Sequence, residues 1–338
     1  MKRGTVFVLL SFSLLATLMF GVTPQASAGI GSGSTYTPDA KYLPYTEVGP
    51  MSEGLASYFE LGSEIDTYGF INSSGTVVIK AKYQAVGDFK EGFAAVMLDN
   101  KCGFINKTGV VKIPLKYEKA GNFGEGLVSV MISGKFGYID TSGKLSIKAQ
   151  YDQAGTFHDG LAPVQKNGKW GYINKTGKVI IPLSYESVYS FNDTYAAVKQ
   201  SGKWGFIDKK GKSVIKPQYS EVRPFSEGLA AVKTNNLWGF IDTKGTIKIK
   251  PQYIDVHSNF SEGLAVVSKK AETASSYAGY IDKTGKEVLG FEIDEDGYEN
   301  DGYMGTAFSN GLAVISDGGQ GAFYIVKNPL KSQNNSKK

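Results

Sequence analysis

Between residues 291 and 303 the chain reads Phe-Glu-Ile-Asp-Glu-Asp-Gly-Tyr-Glu-Asn-Asp-Gly-Tyr. Clustered carboxylates and amides between glycine turns can cage calcium, a hard cation that takes about six to eight oxygen ligands. Asp294, Asp296 and Asp301 are the candidate ligands. The spacing is not that of an EF-hand, because Tyr298 stands where a third ligand would fall and no Glu follows at the twelfth place. A solvated acidic loop has the same composition. Other chemistry is thinly supplied. The only histidines, His158 and His257, are not paired by spacing, which argues against a His-activated nucleophile or a zinc site. Neither a glycine-rich phosphate loop nor a nucleophile elbow occurs. Glu91, Glu125, Asp159, Glu227 and Glu262 recur at equivalent positions, and that equivalence points to a turn role rather than to acid–base catalysis. No cofactor other than calcium is expected.

These residues are carried by a repeat. Gly69, Gly103, Gly137, Gly171, Gly205 and Gly239 follow one another every 34 residues, and Gly279 follows after 40. The clearest copies are Trp170-Gly171-Tyr172-Ile173-Asn174, Trp204-Gly205-Phe206-Ile207-Asp208 and Trp238-Gly239-Phe240-Ile241-Asp242. Fold and function are therefore read per unit. Each unit has three pieces: one like Phe225-Ser226-Glu227-Gly228-Leu229-Ala230-Ala231-Val232, the Trp-Gly piece, and one like Val214-Ile215-Lys216-Pro217-Gln218-Tyr219. The apolar runs are short and rich in Val, Ile and aromatic residues, and Gly-containing turns separate them, so the pieces are strands. A 34-residue helical repeat is rejected, because no window keeps a 3.6 period and Pro interrupts the third piece.

Gly inside a strand implies close approach to its backbone, and the expectation is a ring from the next unit lying over it. Tyr83, Tyr117, Tyr151, Tyr185, Tyr219 and Tyr253, and Phe89, Phe123, Phe157, Phe191 and Phe225, keep the same spacing. They read as layers packed between units, with a solvent-facing, sugar-holding tyrosine ladder as the alternative. The Asp or Asn closing the second piece (Asn72, Asn106, Asp140, Asn174, Asp208, Asp242, Asp282) can bond the turn backbone two residues on. Cys102 replaces a repeat Trp and reads as a small core hydrophobe.

The array is offset at its ends. Residues 45–54 align without gaps on 219–228, so the chain begins inside a third piece. The last copy stops after a decayed second piece, Ala322-Phe323-Tyr324-Ile325. Counting first pieces gives about eight units. The expected class is all-β, built as a β-propeller-like ring or an open β-solenoid, and the sequence allows both. Lys2 and Arg3, an apolar run to about Val22 and Ala26-Ser27-Ala28 form a secretory signal, with cleavage near Ala28. The division is 1–28 signal peptide, 29–41 flexible linker, 42–328 repeat domain and 329–338 disordered basic tail. The formal charge is +5, but without Lys2, Arg3, Lys331, Lys337 and Lys338 the 37 basic residues fall to 32, against 32 acidic. A neutral body lacks the footprint of nucleic-acid binding. No transmembrane segment is expected in the mature chain, and the oligomeric state is left open.

The Trp-Gly-(Phe/Tyr)-Ile-(Asp/Asn) core, with Phe-x-Glu-Gly-Leu-Ala before it and Pro-x-Tyr after it, resembles the WG-repeat (KWG-repeat) family of bacterial proteins from about Tyr42 to Ile325. Tyr68, Cys102 and Phe136 replace Trp, Thr194 replaces the first-piece Gly, and the last two copies are degenerate. The resemblance implies a bacterial protein, exported or surface-associated, with a binding or scaffolding role and no catalytic residues. The expectation is a secreted, non-catalytic module that contacts cell-wall glycan or a surface protein. The alternative is a secreted carbohydrate-active enzyme on a propeller-like frame, which needs non-repeating carboxylates converging from different units.

Overall fold

In each unit the first piece enters a tight hairpin with the Trp-Gly piece. In the fourth unit Leu161–Lys166 pairs antiparallel with Lys169–Asn174 through Asn167-Gly168, both at positive φ (53° and 74°). That is a type I′ turn, whose twist matches the strands it joins. A second turn ending in Gly177 leads to Val179–Tyr185, and the two-residue strand Gln153–Ala154 completes a four-stranded sheet from the other side. The computed structural model describes residues 41–45, 47–61, 66–270, 276–292, 305–316 and 323–332, which hold eight such antiparallel sheets of three or four strands. We call them blades 1 to 8. Residues 1–40, with the expected export signal, and 293–304, with Asp294, Asp296 and Asp301, lie outside the described residues. Among the described residues no helix is long and apolar enough to cross a membrane.

The Trp-Gly glycine has a different cause from the expected one. A Cβ on Gly137 would lie 2.5 Å from the Ile147 carbonyl oxygen and 2.6 Å from the Ala149 nitrogen, in the neighbouring strand of its own blade. Around this point Phe136 pairs with Tyr151 and Tyr138 with Ile147, so the third strand carries extra residues opposite the glycine. The glycine admits a β-bulge, and the same break recurs at Gly69, Gly103, Gly171, Gly205 and Gly239. Blade 8 is the internal control. Tyr324 takes the glycine's place, and it pairs with Tyr42 in plain register. In blade 7, Gly279 faces Gly290 without a bulge at that step.

The ring on each residue after the repeat glycine packs on the first-piece Phe of the next blade. Tyr138 meets Phe157 at 4.9 Å, Tyr172 meets Phe191 at 4.8 Å and Phe240 meets Phe260 at 5.1 Å, edge to face. Such tilted pairs favour the ring quadrupoles. Small residues such as Ala162, Ala196 and Ala230 are fully buried on the first strands, which lets successive sheets approach. The cores therefore lie between blades, and one unit alone could not bury its apolar face.

The two ends meet. Lys41–Leu43 pairs with Phe323–Lys327, which pairs with Leu312–Ser316, so the eighth sheet takes its third strand from the N-terminal side. Leu43, Met51 and Tyr58 share a core with Val314 and Ile325. The array is a closed β-propeller-like ring rather than an open solenoid. Pro329–Ser332, placed in the basic tail by the sequence, instead forms a helical turn against blade 7.

Candidate functional site

The equivalence of the recurrent carboxylates implies a turn role. They do occupy turns, at left-handed φ values near 50° in Glu53, Glu91, Glu125, Asp159, Asp193, Glu227 and Glu262. Their side chains do more, because each crosses to the following blade. Glu125 accepts the Gly160 N–H at 3.0 Å, Glu53 that of Gly92 at 3.0 Å and Asp193 that of Gly228 at 2.6 Å. Glu262 accepts from Gly311 at 2.9 Å. In four places a lysine of that next blade's facing turn closes an ion pair, Lys107–Glu53, Lys175–Glu125, Lys209–Asp159 and Lys283–Glu227, and Lys331 of the turn Pro329–Ser332 pairs with Glu262, all at 3.0–3.2 Å. Where the facing turn carries Thr141 or Thr243, Glu91 and Asp193 keep the backbone bond alone.

Partial burial pulls the Glu125 carboxyl up, but the Gly160 N–H and Lys175 outweigh it and hold the group below its ordinary value of 4.5. A carboxylate lowered in the folded state contributes stability that is present above its unfolded value and lost as pH falls. Glu125→Gln is thus expected to lower stability at pH 7. It should also flatten the fall in stability below about pH 5. Urea titrations from pH 7 to pH 3 read both effects, and an unchanged acid slope would show that the brace carries no linkage.

The Asx positions behave as their spacing implied. Asp140 Oδ1 accepts the N–H groups of Ser142 at 2.9 Å and Lys144 at 3.0 Å, and Asn174 Oδ1 accepts from Thr176 and Lys178. Tyr83, Tyr117, Tyr151 and Tyr253 are buried and Tyr185 and Tyr219 half-buried, so the ladder packs in the interior and offers no continuous platform for sugar. Trp238 is buried, while Trp170 and Trp204 are half-buried beside their cross-strand tyrosines. Cys102 is buried, with its thiol pushed up by burial, as a core hydrophobe should be.

Sequence spacing missed one cluster. His257 Nε2 lies 2.6 Å from Ser268 Oγ, and its Nδ1 is 4.0 Å from Asp255. Asp255 and Ser268 are cross-strand partners, a relation no motif encodes. Burial holds the imidazole below its ordinary value, with Asp255 opposing and Arg223 adding to the effect. The order Ser–His–Asp resembles a hydrolytic triad, but Ser268 is only 4% exposed and its oxygen cannot meet a substrate. The cluster braces a strand pair.

Among the described residues two surfaces bear on contact. The third strands of blades 1 to 6 each form one edge of their sheet. They expose Val77, Val78, Val111, Leu145, Val179, Ile180, Val214 and Ile247. Exposed lysines (Lys80, Lys82, Lys112, Lys116, Lys148, Lys216, Lys248 and Lys250) alternate with them, and none of the six strands holds an acidic residue. The second surface is a cavity of about 390 Å³ where blades 7, 8, 1 and 2 meet, lined by Asp88, Lys90, Ser309 and Asn310 among others. Among the described residues no three His, Cys, Asp or Glu side chains are grouped to hold a metal.

No curated protein sequence matches the chain. Among solved structures it is similar to the crystal structure of BamB from Moraxella catarrhalis. The TM-score is 0.51 at 10% identity, over 85% of this chain and 98% of that one, a likeness of fold. Fainter similarity reaches Kluyveromyces lactis Hsv2p (TM-score 0.45, 11% identity, 68% of this chain and 88% of that one). The dihydro-heme d1 dehydrogenase NirN in complex with DHE is comparable (TM-score 0.45, 11% identity, 81% and 78%). The sequence profile described as "WG containing repeat" matches residues 68–102, 103–136, 136–170, 170–204, 204–238, 238–271 and 279–320. Tandem Trp-Gly units matched over most of the chain, six of them blades whose glycine admits a bulge, make this chain a member of the WG-repeat family.

Proposed function

We propose that this is an exported, non-catalytic scaffold whose ring contacts a cell-surface polymer, glycan or protein, through equivalent positions on successive blades. One observation carries the reading. The third-strand edges of five blades repeat the same ledge of exposed Val, Leu or Ile beside Lys, blade 4 keeps the aliphatic pair Val179 and Ile180 without a lysine, and none of the six holds an acidic residue. Repeated weak contacts on a rigid frame add through effective concentration, so an extended partner is held more tightly than any one ledge could hold it. The recurrent carboxylates are engaged in bracing blades and closing turns, which favours a frame over an acid–base site. Export rests on the signal-like first 28 residues, and no cofactor is invoked.

Edge strands of this kind invite pairing with other chains, and their lysines and prolines (Pro114, Pro182, Pro217, Pro251) oppose it. The contact is therefore made by side chains rather than by strand addition. The purified protein should be retained on isolated cell-wall glycan or by particular proteins of a surface extract. Replacing Lys80, Lys112, Lys148 and Lys248 by Glu should weaken retention at least tenfold. Calcium added to one arm tests the acidic insertion. Absence of retention by either material at micromolar concentration would sink the reading.

A further inference from the structure

The eight junctions between blades are not equal, and the odd one is where the ring closes. At the first seven, an acidic residue accepts a backbone N–H of the next blade. At the eighth, Asn310 holds that place, at the same left-handed φ of 53°. The facing turn of blade 1 carries Ser73 where four others supply a lysine. The Asn310 side chain and the Gly54 N–H have no hydrogen-bond partner among the described residues. A second link is also missing. Ser52, Ser226 and Ser261 each donate to the carbonyl of the next blade's first-piece residue at 2.6 Å. Ser309, their equivalent, makes no such bond to Met51 among the described residues.

The cavity of about 390 Å³ opens at this seam. A pocket of this size is at the small end for ligand sites. Four of its side chains make no hydrogen bond or ion pair among the described residues: the Asp88 carboxylate, the Lys90 ammonium, the Ser309 hydroxyl and the Asn310 amide. Burial holds Asp88 above its ordinary value, with Lys90 opposing. The neighbouring Glu262 carboxylate is already matched by the Gly311 N–H, the Asn328 amide and Lys331. The vacant positions thus mix donors with acceptors and balance one negative against one positive charge. A carboxylate guest would face Asp88 and Glu262, and an amine would face Lys90. A hydroxyl both donates and accepts without charge.

We propose that the closing seam is a binding subsite for one neutral, hydroxyl-rich sugar ring, with Asp88, Ser309 and Asn310 bonding its hydroxyls. This rests on the glycan form of the function proposed above. The seven braced seams supply the test. Asn310→Glu with Ser73→Lys rebuilds at the eighth seam the brace found at four others, so it should close the site while raising the melting temperature by about 2 °C. Asp88→Ala removes an acceptor by a different route.

Binding of wild type and both variants is measured by ligand-observed NMR with chitotriose, and by retention on isolated wall glycan. Glucuronate and glucosamine serve as charged controls. The expected result is chitotriose binding that both variants weaken at least tenfold. Equal binding by wild type and variants overturns the subsite and leaves the glycan reading standing, as does retention on wall glycan with no chitotriose signal. A preference for either charged sugar overturns the neutral chemistry. Failure of the wild type to bind chitotriose or wall glycan removes the glycan reading and the subsite with it.

Discussion

Gly137→Ala is expected to cost about 3 kcal/mol, near the upper end of what overpacking by one methyl does. The added Cβ would stand 2.5 Å from the Ile147 oxygen, 2.6 Å from the Ala149 nitrogen and 2.9 Å from the Ala149 Cα. All three atoms are backbone, so no rotamer change relieves the contact. The strand cannot retreat either, because Ile147 and Tyr151 are buried in the core shared with Phe157, Ala162 and Val164 of the next blade. Gly126→Ala is the matched control. It has φ of 82° and nothing within 4 Å of the added carbon, so only the left-handed backbone opposes it, at about 1 kcal/mol. Guanidinium midpoints of the two variants, with the wild type beside them, separate the two causes. Equal losses would mean that the bulge relaxes freely around the added carbon and that close approach is not what requires the repeat glycine.

That glycine also shows where the sequence stops being informative. Strand content was legible, because Val, Ile and aromatic runs broken by Asn-Gly and Ser-Gly turns have one physical solution. The Asx turns were legible because their partners lie two and four residues away. Partners across blades were not. In a strict repeat every position recurs with the same period, so spacing cannot say whether Gly137 is covered by a ring of the next unit or by the strand just after it. The same ambiguity hid the carboxylate brace: Glu125 lies one residue from Gly126 and 35 from Gly160, and both glycines belong to the same motif position. The cluster of Asp255, His257 and Ser268 was hidden for another reason. It exists only through cross-strand register, in a unit whose equivalents carry other residues there. Closure could be suspected from the split unit, but a solenoid starting at the third piece has the same sequence.

Closure supports the second large prediction. Leu43→Ala is expected to destabilise the protein by about 3 kcal/mol, within the range for emptying a buried leucine site. Its most telling consequence lies some 270 residues away. Leu43 is 1% exposed, in a core that joins Val48, Met51, Ala56, Tyr58 and Ile71 to Val314 and Ile325. Without its N-terminal strand, blade 8 is the two-stranded pair Leu312–Ser316 and Phe323–Lys327, and an isolated hairpin is marginal in water. The loss also reaches blade 1, whose Tyr58 and Ile71 pack in that core and whose Gly75 carbonyl accepts the Tyr45 hydroxyl at 3.2 Å. In a closed ring, then, amide exchange should accelerate together in blades 8 and 1, about a hundredfold for a 3 kcal/mol loss, while blades 4 and 5 keep most of their protection. An open stack would confine the effect to the N-terminal residues and leave Leu312–Ser316 as protected as in the wild type. That outcome would break the ring, and the eighth seam would then be two chain ends rather than a junction that lacks its brace.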